Sequence, residues 1–392
     1  MGRVDNPGMP KTIALIAHHA ESLLNFRGDW IRDLSASGAR VWCLAPDYRD
    51  EDRAAVRRLG AEPIDYGLQR TGMNPVRDLR DAWALTRLLR RLRPDVVFAF
   101  STKPVLYGTL AAWAARVPRR VAMIEGVGFV FTDGDRPLGW KRRILRRVVG
   151  GLYRLALSRA HRVIFLNPDD RREFVERGLA PADRAVVLGG IGVDLDTWAA
   201  SPPVRAPVTF LLVARLLREK GIVEYVAAAR EVRRQYPDAR FLLLGGLDSN
   251  PGGLGRAEVQ SWVDEGVLEW PGHVDVRPWM MQASVFVLPS WREGVPRSTQ
   301  EAMAMGRPVI TTDAPGCRET IEDGVNGYRV PVRDAQALAQ AMLRFVQDPD
   351  RIASMGAASR RLAEDRFDVR RVNARLSEWL WDAAAVDHKE ML

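Results

Sequence analysis

Cysteine is nearly absent: the 392 residues hold two, Cys43 on an apolar run and Cys317 in a Gly/Pro context. Two cysteines so far apart exclude a disulfide framework and a cysteine metal quartet, and point to a reducing compartment. No apolar run approaches the roughly 20 residues needed to span a bilayer. In the opening MGRVDNPGMPKTIALIAHH the only apolar stretch, Ile13 to Ala17, breaks at two histidines, so neither a signal-peptide core nor a cleavage site is expected. Acidic residues are in deficit, 49 against 58 Lys+Arg, leaving a net charge of +9. That excess favours anionic partners: nucleic acid, an anionic membrane face, or phosphorylated small molecules. Internal repeats and low-complexity segments are missing too. A chain that is 47% hydrophobic and 27% charged folds with large cores, and its length suits two or three domains.

Strand-length apolar runs without a polar face alternate with amphipathic stretches, the pattern of buried parallel strands linked by helices. The first half offers Thr12 to Ala17, Val41 to Ala45, Asp95 to Phe100, Val121 to Glu125, Val163 to Asn167 and Val186 to Leu188. The second offers Val208 to Ala214, Phe241 to Gly245, Val285 to Ser290 and Val309 to Thr312. Two successive series predict an α/β chain with two doubly wound sheets. Periodicity lapses and prolines cluster at Ala199 to Pro207, which reads as the linker between domains over 1–200 and 207–370. A last amphipathic segment, 371–392, carries Trp379 and Trp381 and is expected to cross back onto the first domain.

Ligands of open parallel sheets bind beyond the carboxyl ends of the strands. The run from Thr209 ends in Arg215, and Lys220 and Gly221 begin the next helix, so two cations can converge on a diphosphate. The run ending at Ser290 leads into WREGVPRSTQEAMAMGRP, with Pro296 suited to a first helical turn and Gly306 before Pro308 to stop the helix. Glu293 then lies ahead of the helix and Glu301 within it. The amides of Gly294, Val295 and Arg297 can meet an anion or a sugar hydroxyl, and both carboxylates can accept hydroxyl hydrogen bonds. The plain alternative for all four charges is solvated loops and helix faces.

In this order and spacing, Arg215 with Lys220, GHVD at 272–275, the strand-end LPS, REGVPRSTQEAMA and TTDAPGCRETIEDGVNGYRVP resemble the retaining glycosyltransferases of family 4. The likeness runs from Ala17 to about Asp350. It implies the GT-B architecture, two Rossmann-like domains facing across a cleft. It also implies that Glu293 engages the donor sugar, Glu301 holds the ribose, Arg215 and Lys220 neutralise the nucleotide diphosphate, and Val274, in the loop after a strand at Trp270, supports the base. Gly294, Val295, Pro296 and Arg297 complete the donor side. Within the family, ALIAHHAESLLNFRGDW, STKPVLYGTLAAW and MIEGVGFVFTD look most like transferases that extend sugars on undecaprenyl diphosphate, commonly adding N-acetylhexosamine from a UDP donor. On the acceptor side, His18, His19, Asn25, Arg27 and Gly28 are expected in the loop after the first strand. Ser101, Thr102 and Lys103 follow the run ending at Phe100. Many relatives carry a cleft histidine where this chain has Glu125 and Gly126, so Glu125 is the candidate for that contact or a capped strand-end carboxylate.

Arg136 to Arg162 holds nine Lys/Arg and no acid. Trp140, Ile144, Leu145, Val148, Leu152, Leu155 and Ala156 recur there at helical spacing, which reads as a surface-lying element on an anionic membrane. The alternative is core packing with a solvated arginine face, and Gly150 and Gly151 weaken the helix. No nucleic-acid motif accompanies the charge. Asp133-Gly134-Asp135 and Asp194-Leu195-Asp196 imitate a metal-binding Asp-x-Asp but are read as structural loops, with no metal and no cofactor beyond the UDP-sugar substrate. The expected enzyme is a metal-independent transferase, peripheral on the inner face of the cell membrane. Its rivals are a same-fold transferase with a soluble acceptor, a sugar-nucleotide epimerase, and a silent nucleic-acid or membrane-binding module.

Overall fold

The computed structural model describes residues 12–68, 75–127, 140–248, 250 and 252–381, with backbone alone at 75, 140–142 and 381. The chain divides into two compact units, one running up to Leu188 and regaining the chain from Asn373 on, the other comprising Gly189–Val372.

The first unit holds seven parallel strands: β1 (Thr12–Ile16), β2 (Arg40–Ala45), β3 (Glu62–Asp65), β4 (Val96–Phe100), β5 (Arg119–Ile124), β6 (Arg162–Phe165) and β7 (Ala185–Val187), in the order β3-β2-β1-β4-β5-β6-β7. Helices α1 (Ala20–Ala36), α2 (Asp50–Arg58), α3 (Pro75–Leu92), α4 (Thr109–Ala114), α5 (Trp140–Ser158) and α6 (Pro168–Glu176) alternate with them. A short π-helical turn, Pro104–Gly108, runs straight into α4. The central strands bury every residue of VVFAF and all but the first of TIALI, because both faces of a parallel sheet are roofed by helices.

In the second unit six parallel strands, β8 (Thr209–Val213), β9 (Arg240–Leu244), β10 (Glu269–Gly272), β11 (Val285–Leu288), β12 (Val309–Thr312) and β13 (Gly327–Val330), take the order β10-β9-β8-β11-β12-β13. Around them lie α7 (Ile222–Gln235), α8 (Arg256–Asp264), α9 (Arg277–Met281), α10 (Arg297–Ala304), α11 (Ala335–Gln347) and α12 (Asp350–Arg366), and α13 (Val369–Trp381) leads back to the first unit. Both sheets are doubly wound.

All ten apolar runs read from the sequence are strands. Three strands lie outside those runs, each with a neighbour on one side only: β10 (EWPG) is the strand expected at Trp270, while β3 (EPID) and β13 (GYRV) escape the sequence reading. Edge strands need no continuous apolar run, and Pro63 and Pro271 sit where a missing ladder donor costs least.

The chain leaves the first sheet at Leu188–Gly189, ahead of the Pro-rich stretch 199–207, which lies inside the second unit. Arg307, fully buried, fastens it: its guanidinium donates to the Ser201 carbonyl at 2.6 Å and to Ser201 Oγ at 2.9 Å. At the other crossing, α13 packs on the first unit. Trp30 Nε1 donates to Ser377 Oγ at 3.0 Å, Arg119 donates to the Trp379 carbonyl at 2.9 Å, and Leu376 and Leu380 are completely buried.

Candidate active site

In the second unit every strand points the same way, so the turns after β8, β9, β10, β11 and β12 gather at one sheet edge. After β8 the chain passes Arg215 and makes a 3-10 turn, Arg218–Lys220, closed by Gly221 at φ 72°. A Cβ on Gly221 would stand 2.0 Å from the Pro289 carbonyl oxygen, so this turn meets the end of β11 only with glycine. That approach brings Lys220 Nζ to within 2.5 Å of Glu293 Oε1, to which Ser290 Oγ also donates at 2.7 Å. Both partners are largely buried, 15% and 12% exposed at their side chains. Ser290 is held in turn by Thr312 Oγ1, which donates to its carbonyl. The Glu293 amide donates to the Pro315 carbonyl at 2.9 Å, and a Cβ on Gly316 would collide with the Glu293 carbonyl oxygen at 2.1 Å. Burial pushes the thiol of nearby Cys317 up to about 12, with the Glu293 charge acting the same way, so it stays protonated.

Arg215 does not join Lys220 on one partner. Its guanidinium pairs with Asp248, after β9, at 2.8 Å; the carboxylate is buried and the arginine exposed. The two cations expected to meet a diphosphate are thus each held against a carboxylate. Pro296 is the N-cap of α10 and not a residue of its first turn, so the helix begins one residue later, at Arg297. Arg297 Nε donates to Glu301 Oε1 at 2.8 Å across one helical turn. Burial raises the Glu301 carboxyl above its ordinary range, with the Arg297 charge and hydrogen bond pulling the other way. Val295 is buried, and its carbonyl accepts from Gln300. Val274 lies half-buried in the loop between β10 and α9. The donor-side residues named from the sequence therefore share one sheet edge. Ser290, Asp248 and Gly316 were not singled out there; Asp248 carries no motif, and the other two stand inside recognised ones.

The acceptor-side residues separate. His18 and His19 follow β1 as expected, with rings 4.0 Å apart, and His19 Nδ1 accepts from the Ser22 amide at 3.2 Å. That cap starts α1 at Ala20, so Asn25, Arg27 and Gly28 stand within a helix and not in the expected loop. Asn25 is exposed and donates to Glu21. Arg27 is buried, meets Glu125 Oε1 at 2.9 Å and lies over the Phe100 ring. Ser101 donates to Glu125 Oε2 at 2.9 Å from a left-handed backbone, φ 72°. Arg27, Ser101 and Glu125 form one cluster at the ends of β4 and β5. Lys103 leaves that group: its half-buried ammonium pairs with the buried Asp78 of α3 at 2.9 Å, while Thr102 is exposed.

The basic helix is present as α5, but its apolar stripe divides. Ala156 joins Val149, Tyr153 and Leu157 in the core, Leu145 and Leu152 pack at the core's margin, and Ile144, Val148 and Leu155 are exposed. Arg136 and the Asp133-Gly134-Asp135 loop lie outside the described residues, as do the side chains of Trp140 and Arg142. Asp194 accepts from the Asp196 amide and from Thr197 Oγ1, and Asp196 pairs with Arg370. Among the described residues no group of three His, Cys, Asp or Glu side chains is placed to hold a metal ion, and no helix is long and apolar enough to cross a membrane.

Residues 27–190 match the family model for the glycosyl transferase 4-like domain, and residues 207–348 that for glycosyl transferases group 1. The N,N'-diacetylbacillosaminyl-diphospho-undecaprenol alpha-1,3-N-acetylgalactosaminyltransferase of Campylobacter jejuni is 28% identical over 351 residues, covering 86% of this chain and 89% of the relative. A UDP-Gal:alpha-D-GlcNAc-diphosphoundecaprenol alpha-1,3-galactosyltransferase of Escherichia coli is 24% identical over 70% of this chain and 72% of its own. Among solved structures, sucrose-phosphate synthase from Thermosynechococcus elongatus superposes with a TM-score of 0.77 at 20% identity, over 94% of this chain and 98% of that one. Anabaena HepE in complex with UDP and glucose gives 0.73 at 17% identity, over 94% and 99%.

Proposed function

We propose, from the premise that this chain belongs to the glycosyltransferases joining a 4-like domain to a group 1 domain in the GT-B fold, that it moves a sugar from a UDP donor to a polyprenyl-diphosphate-linked saccharide. The donor sugar we assign is an N-acetylhexosamine, and the anomeric configuration is retained. The observation that carries the reading is the meeting of Lys220, Glu293 and Ser290 at one sheet edge, with Arg215 on the turn after β8 and Glu301 within α10. The likeness to transferases whose names specify undecaprenyl-diphosphate sugars supports the acceptor class.

In this mechanism the diphosphate takes Lys220 and Arg215 from their carboxylates, and the cations neutralise charge developing on the leaving group. Glu293, released from Lys220, accepts hydrogen bonds from donor-sugar hydroxyls and fixes the sugar beside the amino end of α10. Glu301 receives the ribose. The acceptor hydroxyl attacks the anomeric carbon from the face of the departing diphosphate, and its proton passes to a phosphate oxygen. No metal or other cofactor is required. In the first unit, Arg27 and Ser101 hold the Glu125 carboxylate in place for a sugar hydroxyl, in the role that many relatives give to histidine. The basic helix α5 rests on the anionic inner face of the cell membrane, where the acceptor is embedded.

The test is a panel of UDP-sugars offered to the purified protein with a polyprenyl-diphosphate-linked monosaccharide. Extension with retained configuration, unaffected by EDTA, is the expected result. Epimerised nucleotide sugar without extension, transfer to soluble acceptors alone, or activity lost in EDTA and restored by a divalent ion would each overturn the corresponding part of the reading.

A further inference from the structure

The large apolar side chains that the fold leaves exposed are not scattered. Among the described residues twelve stand out in this way, and seven of them lie on α3, α4 and α5. These helices cover one face of the first sheet, with α4 packed against both α3 and α5. On α3, Val76, Leu79 and Trp83 recur three and four residues apart and are 80%, 71% and 59% exposed. They lie opposite Leu85 and Leu89, which fill the core. On α5, Ile144, Val148 and Leu155 make a parallel stripe, and Trp113 of α4 stands exposed between the two helices.

The exposure of α3 is enforced by its anchoring. Asp78, buried one turn into the helix, accepts from Lys103 Nζ at 2.9 Å and from the Tyr107 hydroxyl at 3.2 Å. This tie fixes the helix's rotation with Val76 and Leu79 outward. The charges around the stripes have one sign. Helix α3 carries five arginines and α5 six cations, while the only acids on either are Asp78, which is buried, and Asp81, which is half-buried. Arg87 lies over the Trp83 ring at 4.6 Å and Arg159 over Trp113 at 4.5 Å, so cation and indole share a level at the surface. Apolar stripes interleaved with arginine and tryptophan match the boundary between acyl chains and anionic headgroups.

We infer that α3, α4 and α5 together form a lipid-docking face, with Val76, Leu79 and Trp83 as a second insertion stripe beside that of α5, and that its occupant is an anionic bilayer surface. This rests on the reading of α5 as a membrane element and extends it to a helix whose sequence gave no such signal.

Cys43 and Cys317 are buried, so a single cysteine introduced on the surface can be labelled selectively. An environment-sensitive fluorophore would be placed at Leu79→Cys, at Ile144→Cys and, as a control in the second unit, at Val325→Cys. Each protein is then mixed with phosphatidylglycerol-containing vesicles that carry a quencher in the acyl region. The expected result is a blue shift and quenching at 79 and 144, none at 325, and reversal by high salt. A Val76→Ser, Leu79→Ser, Trp83→Ser variant should lose at least about tenfold in vesicle partition while keeping its UDP affinity. Quenching at 144 but not 79 would overturn the two-stripe face and leave α5 alone as the membrane element. Binding to vesicles with neither position quenched would overturn both. A shift at 79 that rises with protein concentration in the absence of lipid would assign the face to a second copy of the chain.

Discussion

Lys220 and Glu293, 2.5 Å apart and shielded from water, show how much of this site is decided by single side chains. Removing the ammonium deletes a charge-assisted contact and strands a carboxylate, and such contacts contribute roughly 1.5–3 kcal/mol. Lys220→Ala is therefore expected to weaken UDP binding by at least about tenfold. Calorimetry with UDP reads this directly, and unchanged affinity would remove Lys220 from the diphosphate site. Gly316 acts through shape. Because its Cβ would meet the Glu293 carbonyl oxygen at 2.1 Å in a left-handed conformation, Gly316→Ala must displace the Glu293 turn. Transfer should fall far more than UDP affinity in that variant, since the proposed mechanism sets Glu293 against the sugar and not the nucleotide. Equal loss of both in titration and turnover would mean that the whole turn has collapsed.

At the scale of elements, the junction of β5 and β6 carries a pH-sensitive joint. The Arg120 amide donates to His161 Nδ1 at 3.1 Å, an acceptor role that only the neutral imidazole can fill. Burial, and then the charges of Arg120, Arg119 and Arg184, lower the histidine's pKa from 6.5 to about 4. Below 6.5 the unfolded chain takes up a proton that the folded chain refuses, so this joint's contribution is whole above that pH and is lost as pH falls toward 4. Thermal unfolding should show a declining midpoint over that window, and His161→Asn, which keeps an acceptor but cannot titrate, should flatten it. A variant with the same slope as wild type would clear His161 of the effect. The helices teach a different lesson. A basic amphipathic segment was legible in α5, yet which of its apolar residues reach the core is set by rotation: Ala156 turns in, and Ile144 and Leu155 turn out. In α3 the outward stripe looks in sequence like ordinary core periodicity.

For the whole molecule, the last described helix belongs to two units at once, leaving the second and joining the first. Leu376 is completely buried there, in the part of α13 grouped with the first unit. Leu376→Ala should cost about 2–5 kcal/mol, as buried leucine truncations do. Hydrogen exchange should show that loss in β1 to β6 and spare β8 to β13, because the cavity opens in the first unit alone. Faster exchange in both sheets alike would show that the two units unfold as one.

The sequence by itself determined the two series of buried strands, since a strand roofed on both faces must be apolar along its length, and that requirement is local. It also placed the candidate donor-side residues at one sheet edge, because strand ends, glycine turns and helix starts lie close together along the chain. Only the tertiary structure decided the partners. Arg215 and Asp248 are 33 residues apart, Lys220 and Glu293 are 73, and Arg27 and Glu125 are 98. Nothing local in the sequence records which carboxylate a cation will meet. The edge strands β3 and β13 escaped for a related reason: exposed on one side, they are held by a neighbour's backbone and not by their own side chains. So did the segment 199–207, whose prolines read as a linker until the buried guanidinium of Arg307 is seen to fasten Ser201 to the second unit.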